Sequence, residues 1–229
     1  MTTKQSRVIV VDDHPIVRQA LAQMINREPD LVVCGEAEEA RSALQAIAAL
    51  QPDIVVVDIS LNGPSGLEVL KAIRQTDPKL RVLILSMHDE MVYAERALRA
   101  GANGYIMKQE ATEMVLVALR RILGGEVYVS NRVANRMLKQ LVGGAMSARK
   151  SPVDDLTDRE LEVFRLIGEG HSTRQISDEL HLSVKTVETY QSHIKEKMGL
   201  RNARELVQYA IQWAISESGS DGQPSTGNP

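Results

Sequence analysis

The chain has 229 residues, 43% hydrophobic and 25% charged, close to the soluble globular average, which excludes wholesale disorder. Its 27 basic and 30 acidic residues leave a formal charge of −3, so overall charge announces neither a nucleic-acid nor a membrane protein. One cysteine, Cys34, excludes an internal disulfide framework; with no membrane-length apolar run and a polar N-terminus, a cytoplasmic protein without membrane contacts is expected.

In chain order, five short runs rich in β-branched residues read as strands: Val8–Val11, Leu31–Val33, Ile54–Val57, Val82–Leu85 and Tyr105–Met107. Between them lie helical patterns. Ile16, Val17, Ala20, Leu21, Met24 and Ile25 fall on one helix face, and stretches 39–50, 66–76, 90–100 and 111–123 read similarly. The alternation implies an α/β domain, a doubly wound five-stranded parallel sheet covered on both faces, over residues 1–125. Residues 126–155 read as a linker: a helix near 131–142, the Gly143-Gly144 break, then a short-side-chain stretch with Pro152. From 156 to 216 an all-α four-helix domain is expected, with helices near 157–169, 172–180, 184–198 and 203–215. Capping boxes open the first two, at Thr157/Glu160 and Ser172/Gln175. The tail 217–229 is Gly, Ser, Pro and polar, and reads as disordered.

In a doubly wound sheet, ligands bind outside the carboxyl ends of the strands. Asp12 and Asp13 follow the first strand here, Asp58 the third, Ser86 the fourth and Lys108 the fifth. A single acid there is usually a helix cap or a loop residue, and Asp12 could cap the helix beginning near Pro15. Three carboxylates, a hydroxyl and an ammonium meeting at one edge are hard to read as coincidence. Clustered carboxylates repel one another, and a hard cation such as Mg²⁺ relieves that repulsion. Beside such a cation a carboxylate can act as nucleophile towards phosphorus, which points to an aspartyl phosphate.

These residues carry a family resemblance. The segments VDDHPIVRQAL at 11–21, VVVDISL at 55–61, LILSMHD at 83–89 and GANGYIMK at 101–108 resemble a response-regulator receiver domain of the flavodoxin-like fold. The whole chain resembles a NarL/FixJ-type regulator of a two-component phosphorelay, with a LuxR-type helix-turn-helix. The resemblance implies Asp58 as phosphoacceptor, Asp13 as direct Mg²⁺ ligand, Asp12 acting largely through water, and the Ser60 backbone carbonyl as a further ligand. Ser86 and Lys108 would contact the phosphoryl group, and Tyr105 stands where the family has its switch aromatic. Gln109 replaces the proline that often follows the lysine, which weakens the case for a cis Lys108–Gln109 bond. Asn62-Gly63-Pro64 departs from the usual loop after the phosphoacceptor, and Ser60 and His88 stand where variable side chains tune dephosphorylation.

The helix 184–198 has a core stripe of Val187, Tyr190, Ile194 and Met198, with Lys185, Glu188, Thr189, Ser192 and Glu196 opposite. With the helix before it, this is the spacing of a helix-turn-helix whose second helix enters the major groove. Over 150–213, nine basic residues face eleven acidic ones, a net of −2, but 184–204 alone has five basic and two acidic, a net of +3. Phosphate contacts are therefore expected from Lys185, Lys195, Lys197 and Arg204, and base or backbone contacts from Thr186, Glu188, Thr189 and Ser192. The resemblance makes the last helix a homodimer contact through Leu206, Val207, Ala210 and Ile211, unless it and Trp213 simply close the core. Its implied partners are DNA, a sensor histidine kinase and RNA polymerase.

A Mg²⁺-dependent phosphatase of the haloacid-dehalogenase type would also use a strand-end Asp. It needs a second acid two residues on, where this chain has Ser60. No Gly-x-Gly-x-x-Gly follows the first strand, against a dinucleotide enzyme. The expectation is a phosphorylation-activated, non-enzymatic transcription regulator; the alternative is a degenerate receiver that binds DNA or protein without phosphorylation.

Overall fold

The computed structural model describes residues 5–87, 89–142 and 152–218. His88, the Gly143-Gly144 break, the stretch up to 151 and the tail beyond 218 lie outside them. The chain divides into two compact units, Met1–Ala148 and Arg149–Pro229.

The first unit alternates strands β1 (Ser6–Val11), β2 (Leu31–Ala37), β3 (Ile54–Asp58), β4 (Arg81–Ser86) and β5 (Gly104–Met107) with helices. These are α1 (Pro15–Asn26), α2 (Ala40–Leu50), α3 (Gly66–Thr76), α4 (Glu90–Arg99) and α5 (Ala111–Leu123), followed by α6 (Asn131–Val142). The sheet order is β2-β1-β3-β4-β5, all parallel. The order reverses at β1, so β1 and β3 flank the switch point. Both faces are covered, which is why the strands read as unbroken apolar runs rather than alternating ones. Val8, Val10, Ile54, Val56, Leu83 and Leu85 join one core with Leu21 and Ile25 of α1 and Val115, Leu119 and Ile122 of α5. The alternate residues Ile9, Val11, Val55, Val57, Val82 and Ile84 are equally buried.

Three features depart from the sequence reading. β2 continues past Val33 to Ala37, with a register shift opposite Val8 and Ile9 that skips Cys34. Cys34-Gly35-Glu36 has little strand propensity; the backbone ladder to β1 holds it extended. A side chain at Gly35 would come within 2.6 Å of Leu50 Cδ1, so the strand accepts only glycine there without repacking. Secondly, Tyr128 pairs with the edge of β5: the Tyr105 amide donates to the Tyr128 carbonyl and the Tyr128 amide to the Asn103 carbonyl, both at 2.9 Å. That covers an otherwise open strand edge. Thirdly, α6 packs on α4 within the first unit rather than standing clear in a linker. Ser130 caps α6 by accepting from the Val133 amide and also donates to Glu90 Oε1 at 2.8 Å. Arg136 donates to the Met91 carbonyl, and Val133 is buried.

The second unit holds α7 (Asp158–Gly168), α8 (Thr173–Glu179), α9 (Val184–Met198) and α10 (Ala203–Ser218), after a single 3₁₀ turn at Pro152–Asp155. Both anticipated capping boxes form, Thr157 with Glu160 and Ser172 with Gln175. α9 begins at Ser183, whose hydroxyl accepts from the Thr186 amide, and ends at Gly199, held at φ 67°, where a side chain would be strained. Val187 and Ile194 are fully buried, with Tyr190 and Met198 partly so, which is the anticipated stripe. α10 crosses α7 so closely that a Cβ on Gly168 would lie 2.5 Å from the Ala210 carbonyl oxygen. Phe164 of α7 meets Tyr209 and Trp213, with ring centroids 6.2 and 5.4 Å away, so Trp213 does close this core. Among the described residues no helix is long and apolar enough to cross a membrane.

Candidate functional site

The parallel sheet brings the residues after β1, β3, β4 and β5 to one edge. Asp12 and Asp58 are 1% exposed and Ser86 is fully buried. Lys108 opens a 3₁₀ turn directly after β5, and its Nζ lies 2.7 Å from both Asp12 Oδ2 and Asp58 Oδ2. The peptide bond to Gln109 is trans, as all are among the described residues. Asp13 Oδ1 is buried beside the His14 ring, with Nδ1 at 2.7 Å. Asp12 Oδ1 accepts from the His14 amide at 2.9 Å, so Asp12 folds the β1–α1 loop while His14, not Asp12, stands at the N-cap of α1. A backbone hydrogen bond from Ser60 reaches the Asp58 carboxyl group.

The charges do not balance. Three carboxylates face one ammonium, leaving two negative charges in excess. Burial raises the Asp58 pKa to about 6; Lys108 offsets part of that and Asp12 adds to it. Burial also works against the Lys108 ammonium, but the charges and hydrogen bonds of Asp58 and Asp12 outweigh it and raise its pKa. Both groups thus hold their protons more tightly than usual, Asp58 because it is buried and Lys108 because the two acids hold its ammonium.

The residues fit a hard divalent cation. Asp58 Oδ1 is buried and accepts no hydrogen bond, an expensive condition for a carboxylate oxygen unless a cation or an incoming group satisfies it. Ligand atoms of Asp12, Asp13, His14 and Asp58 all lie within 4.8 Å of one another. Two ligands on opposite sides of one octahedral ion with metal–oxygen distances near 2.1 Å are about 4.2 Å apart, so small side-chain adjustments close the site.

Ser86, the last residue of β4, hydrogen-bonds the Tyr105 hydroxyl. Tyr105 is 1% exposed, and burial pushes its pKa well above the usual range, so it stays a neutral hydroxyl. The Ser86–Tyr105 pair links the acid edge to β5 directly.

Three residues at this edge escaped the sequence reading. Arg18 Nη1 donates to the Asp12 carbonyl at 2.5 Å and its Nε lies 3.4 Å from Glu36 Oε2, tying α1 to the ends of β1 and β2. A Cβ on Gly66 would fall 2.0 Å from the Asp58 carbonyl oxygen, so only glycine lets α3 begin against the end of β3. His14 sets its ring beside the two acids while staying largely exposed. Position in the pattern was the available signal: His14 adjoins the acid pair, and Arg18 stands one helical turn further on.

On α9, Lys185, Glu188, Thr189 and Ser192 are exposed together, while Thr186 and Lys195 are half-buried. The hydroxyls of Thr189 and Ser192 donate to the carbonyls of Lys185 and Glu188 at 2.9 Å, and that of Thr186 lies 2.7 Å from Ser183 Oγ. Lys197 Nζ is held by Glu160 Oε2 at 2.6 Å, which ties α9 to α7, whereas Arg204 is exposed. In α10, Leu206 and Ala210 are buried in the unit's own core against α7 and are unavailable to a second copy, contrary to expectation. Val207 and Ile211 are exposed, and Ile215 continues their stripe at the same four-residue spacing.

Two family descriptions match the chain: the response regulator receiver domain over residues 8–120, and the luxR family of bacterial regulatory proteins over 154–210. The oxygen regulatory protein NreC of Staphylococcus aureus is 34% identical over 215 residues, covering 92% of this chain and 99% of NreC. A LuxR-family two-component response regulator from Aurantimonas sp. SI85-9A1 is 37% identical, with a TM-score of 0.57 over 61% of this chain and 99% of its own. RcsB of Salmonella enterica serovar Typhimurium, solved on promoter P1flhDC with the phosphomimetic BeF3-, is 25% identical. Its TM-score is 0.56 over 91% of this chain and 100% of its own.

Proposed function

The chain belongs to the response-regulator family, as a two-component transcription regulator with a receiver and a LuxR-type DNA-binding domain, and we propose that Asp58 is its phosphoacceptor. The observation that carries this reading is the buried Asp58 carboxylate, one oxygen held by Lys108 and the other without a hydrogen-bond partner.

In the transfer from a sensor histidine kinase, Asp58 Oδ1 attacks phosphorus and the bond to the kinase imidazole nitrogen breaks, its electron pair staying on the imidazole. Asp13, Asp58 and the Ser60 carbonyl would hold a Mg²⁺ ion, with Asp12 acting largely through water, and the ion would supply neutralising charge for the acids and the phosphoryl oxygens. Lys108 is placed to exchange its contact with Asp58 Oδ2 for a phosphoryl oxygen, and Ser86 donates its hydroxyl to another. Turning Ser86 towards the phosphoryl group alters its bond to Tyr105, and Tyr105 transmits the change along β5. The receiver then releases the DNA-binding domain, so that α9 enters the major groove of each half-site. There Lys185, Lys195 and Arg204 meet phosphates, with Lys197 contributing only if Glu160 gives it up, and Thr186, Glu188, Thr189 and Ser192 face the groove. Val207, Ile211 and Ile215 form the apolar contact between two copies on DNA. That RcsB was solved on a promoter with a phosphomimetic present supports DNA binding by the phosphorylated form. The functional division is a receiver over 1–125, a connecting segment over 126–155 and a DNA-binding domain over 156–216, acting in the cytoplasm with RNA polymerase as a further partner.

The test is intact mass after incubation with Mg²⁺ and acetyl phosphate. Wild type gains one phosphoryl group and Asp58→Ala gains none. A folded wild type that gains none would instead make this a degenerate receiver, controlled without phosphorylation.

A further inference from the structure

We propose that His14 is a fourth protein ligand of the cation site, and that its imidazole makes the site favour nitrogen-accepting divalent cations such as Mn²⁺ and Co²⁺ more than the oxygen ligands alone would. The inference rests on the acid edge being a cation site, and deepens that reading.

The imidazole is where a ligand must be. His14 Nδ1 lies 2.7 Å from Asp13 Oδ1 and 3.4 Å from Asp12 Oδ1. Neighbouring ligands on an octahedral ion are about 3 Å apart, so these separations suit a shared ion. Asp58 supplies an independent pointer: its side chain is 99% buried, and Oδ1 has no hydrogen-bond partner within the same cluster.

Local sequence explains why the ring is available. His14 is the N-cap of α1, a position whose side chain ordinarily accepts from the first turn of amides. Pro15 fits the first helical position, where no amide hydrogen bond is needed, and His14 makes no side-chain cap bond. Asp12 Oδ1 meanwhile holds the His14 amide. The ring is thereby turned over the acids instead of over the helix end, with its outer edge open to solvent.

The chemistry follows from ligand softness. Mg²⁺ takes oxygen ligands and keeps its waters, so an imidazole adds little to its binding. Mn²⁺ and Co²⁺ accept imidazole readily and gain an inner-sphere bond. Carboxylates alone already prefer the transition metals somewhat, so the diagnostic quantity is the change on removing the ring, not the ranking of metals.

The experiment is calorimetric titration of the full chain with Mg²⁺, Mn²⁺ and Co²⁺, for wild type, His14→Ala and Asp13→Asn. It is joined by pulsed electron paramagnetic resonance of Mn²⁺-loaded wild type and His14→Ala. His14→Ala is expected to weaken Mn²⁺ and Co²⁺ by about tenfold or more and Mg²⁺ by less than about twofold. The Mn²⁺ spectrum of wild type should show coupling to a bound histidine nitrogen that His14→Ala loses. Equal weakening of all three metals, or no nitrogen coupling in wild type, overturns the ligand role while leaving the cation site standing. Wild type that binds no divalent cation, or binds it unaffected by Asp13→Asn, overturns the cation site itself.

Discussion

Replacing Asp58 by asparagine removes one negative charge from a buried group of three while keeping the side chain's size and an oxygen to accept from Lys108. The Asp58 pKa of about 6 stands against an ordinary 3.8. The folded protein therefore binds this proton more tightly than the unfolded chain does. Its contribution is fully present below the unfolded value and is lost as pH rises through the folded one. At about 1.4 kcal/mol per pKa unit, the ionised carboxylate costs roughly 3 kcal/mol near pH 8 and about 1.5 near pH 5. Asparagine also deprives Lys108 of one partner, but Asp12 remains 2.7 Å from its ammonium. The net expectation without metal is a receiver stabilised by about 1–3 kcal/mol near pH 8, with the gain shrinking towards pH 5. Urea unfolding in EDTA, with hydrogen exchange at β1 and β3 isolating this unit from the other, measures it. Saturating Mg²⁺ should close most of the gap by stabilising wild type selectively. An asparagine variant no more stable than wild type near pH 8, or a gap that widens on acidification, would refute the argument that ionising the buried Asp58 is costly.

Other substitutions separate the remaining parts. Lys108→Met strips three acids of their one ammonium, and should cost about 3 kcal/mol in EDTA by urea unfolding, partly recovered with Mg²⁺, while phosphorylation measured by intact mass falls sharply. Gly66→Ala drives a methyl into the Asp58 carbonyl and should cost more than about 2 kcal/mol of receiver stability; an unchanged urea midpoint would show that α3 can shift freely. On DNA, Lys185→Ala should lower the slope of log affinity against log salt by about 1, whereas Lys197→Ala should leave it nearly unchanged because Glu160 already holds that ammonium. Equal slopes for the two variants would mean that Glu160 releases Lys197 on binding.

The acid edge was legible because one topological rule converts a linear pattern into a place: each strand end in a parallel sheet faces the same side. Asp12, Asp58, Ser86 and Lys108 could be assembled without coordinates for that reason, and the capping boxes at Thr157 and Ser172 for a similarly local one. What stayed hidden depends on contacts between distant segments. β2 extends through Cys34 and Gly35 on the strength of its ladder to β1, against local propensity. Tyr128 covers the β5 edge and α6 docks on α4 through Ser130 and Arg136, contacts that a helical pattern inside an expected linker does not announce. Lys197 reads as a free positive charge in the sequence because its partner, Glu160, lies 37 positions away. Leu206 and Ala210 looked like surplus apolar surface because one helix pattern cannot say how much of itself a neighbour will cover.

The burial that makes the ionised Asp58 carboxylate costly also leaves it open to a change of partner. Were Asp58 fully neutralised by lysines, an incoming phosphoryl group would meet a satisfied carboxylate and nothing would need to move. With one ammonium shared between Asp12 and Asp58, that carboxylate keeps an unpartnered oxygen. On the proposed reading a phosphoryl group on Asp58 would add roughly one further negative charge, and the edge would have to recruit donors, Lys108 from within the cluster and Ser86 from the end of β4. Ser86 does not act alone, since its hydroxyl already bonds Tyr105, which is buried beneath it on β5. An electrostatic shortfall at the strand ends is thereby coupled to a side chain in the core, and burial makes that coupling directional: the tyrosine hydroxyl must keep a partner wherever Ser86 turns.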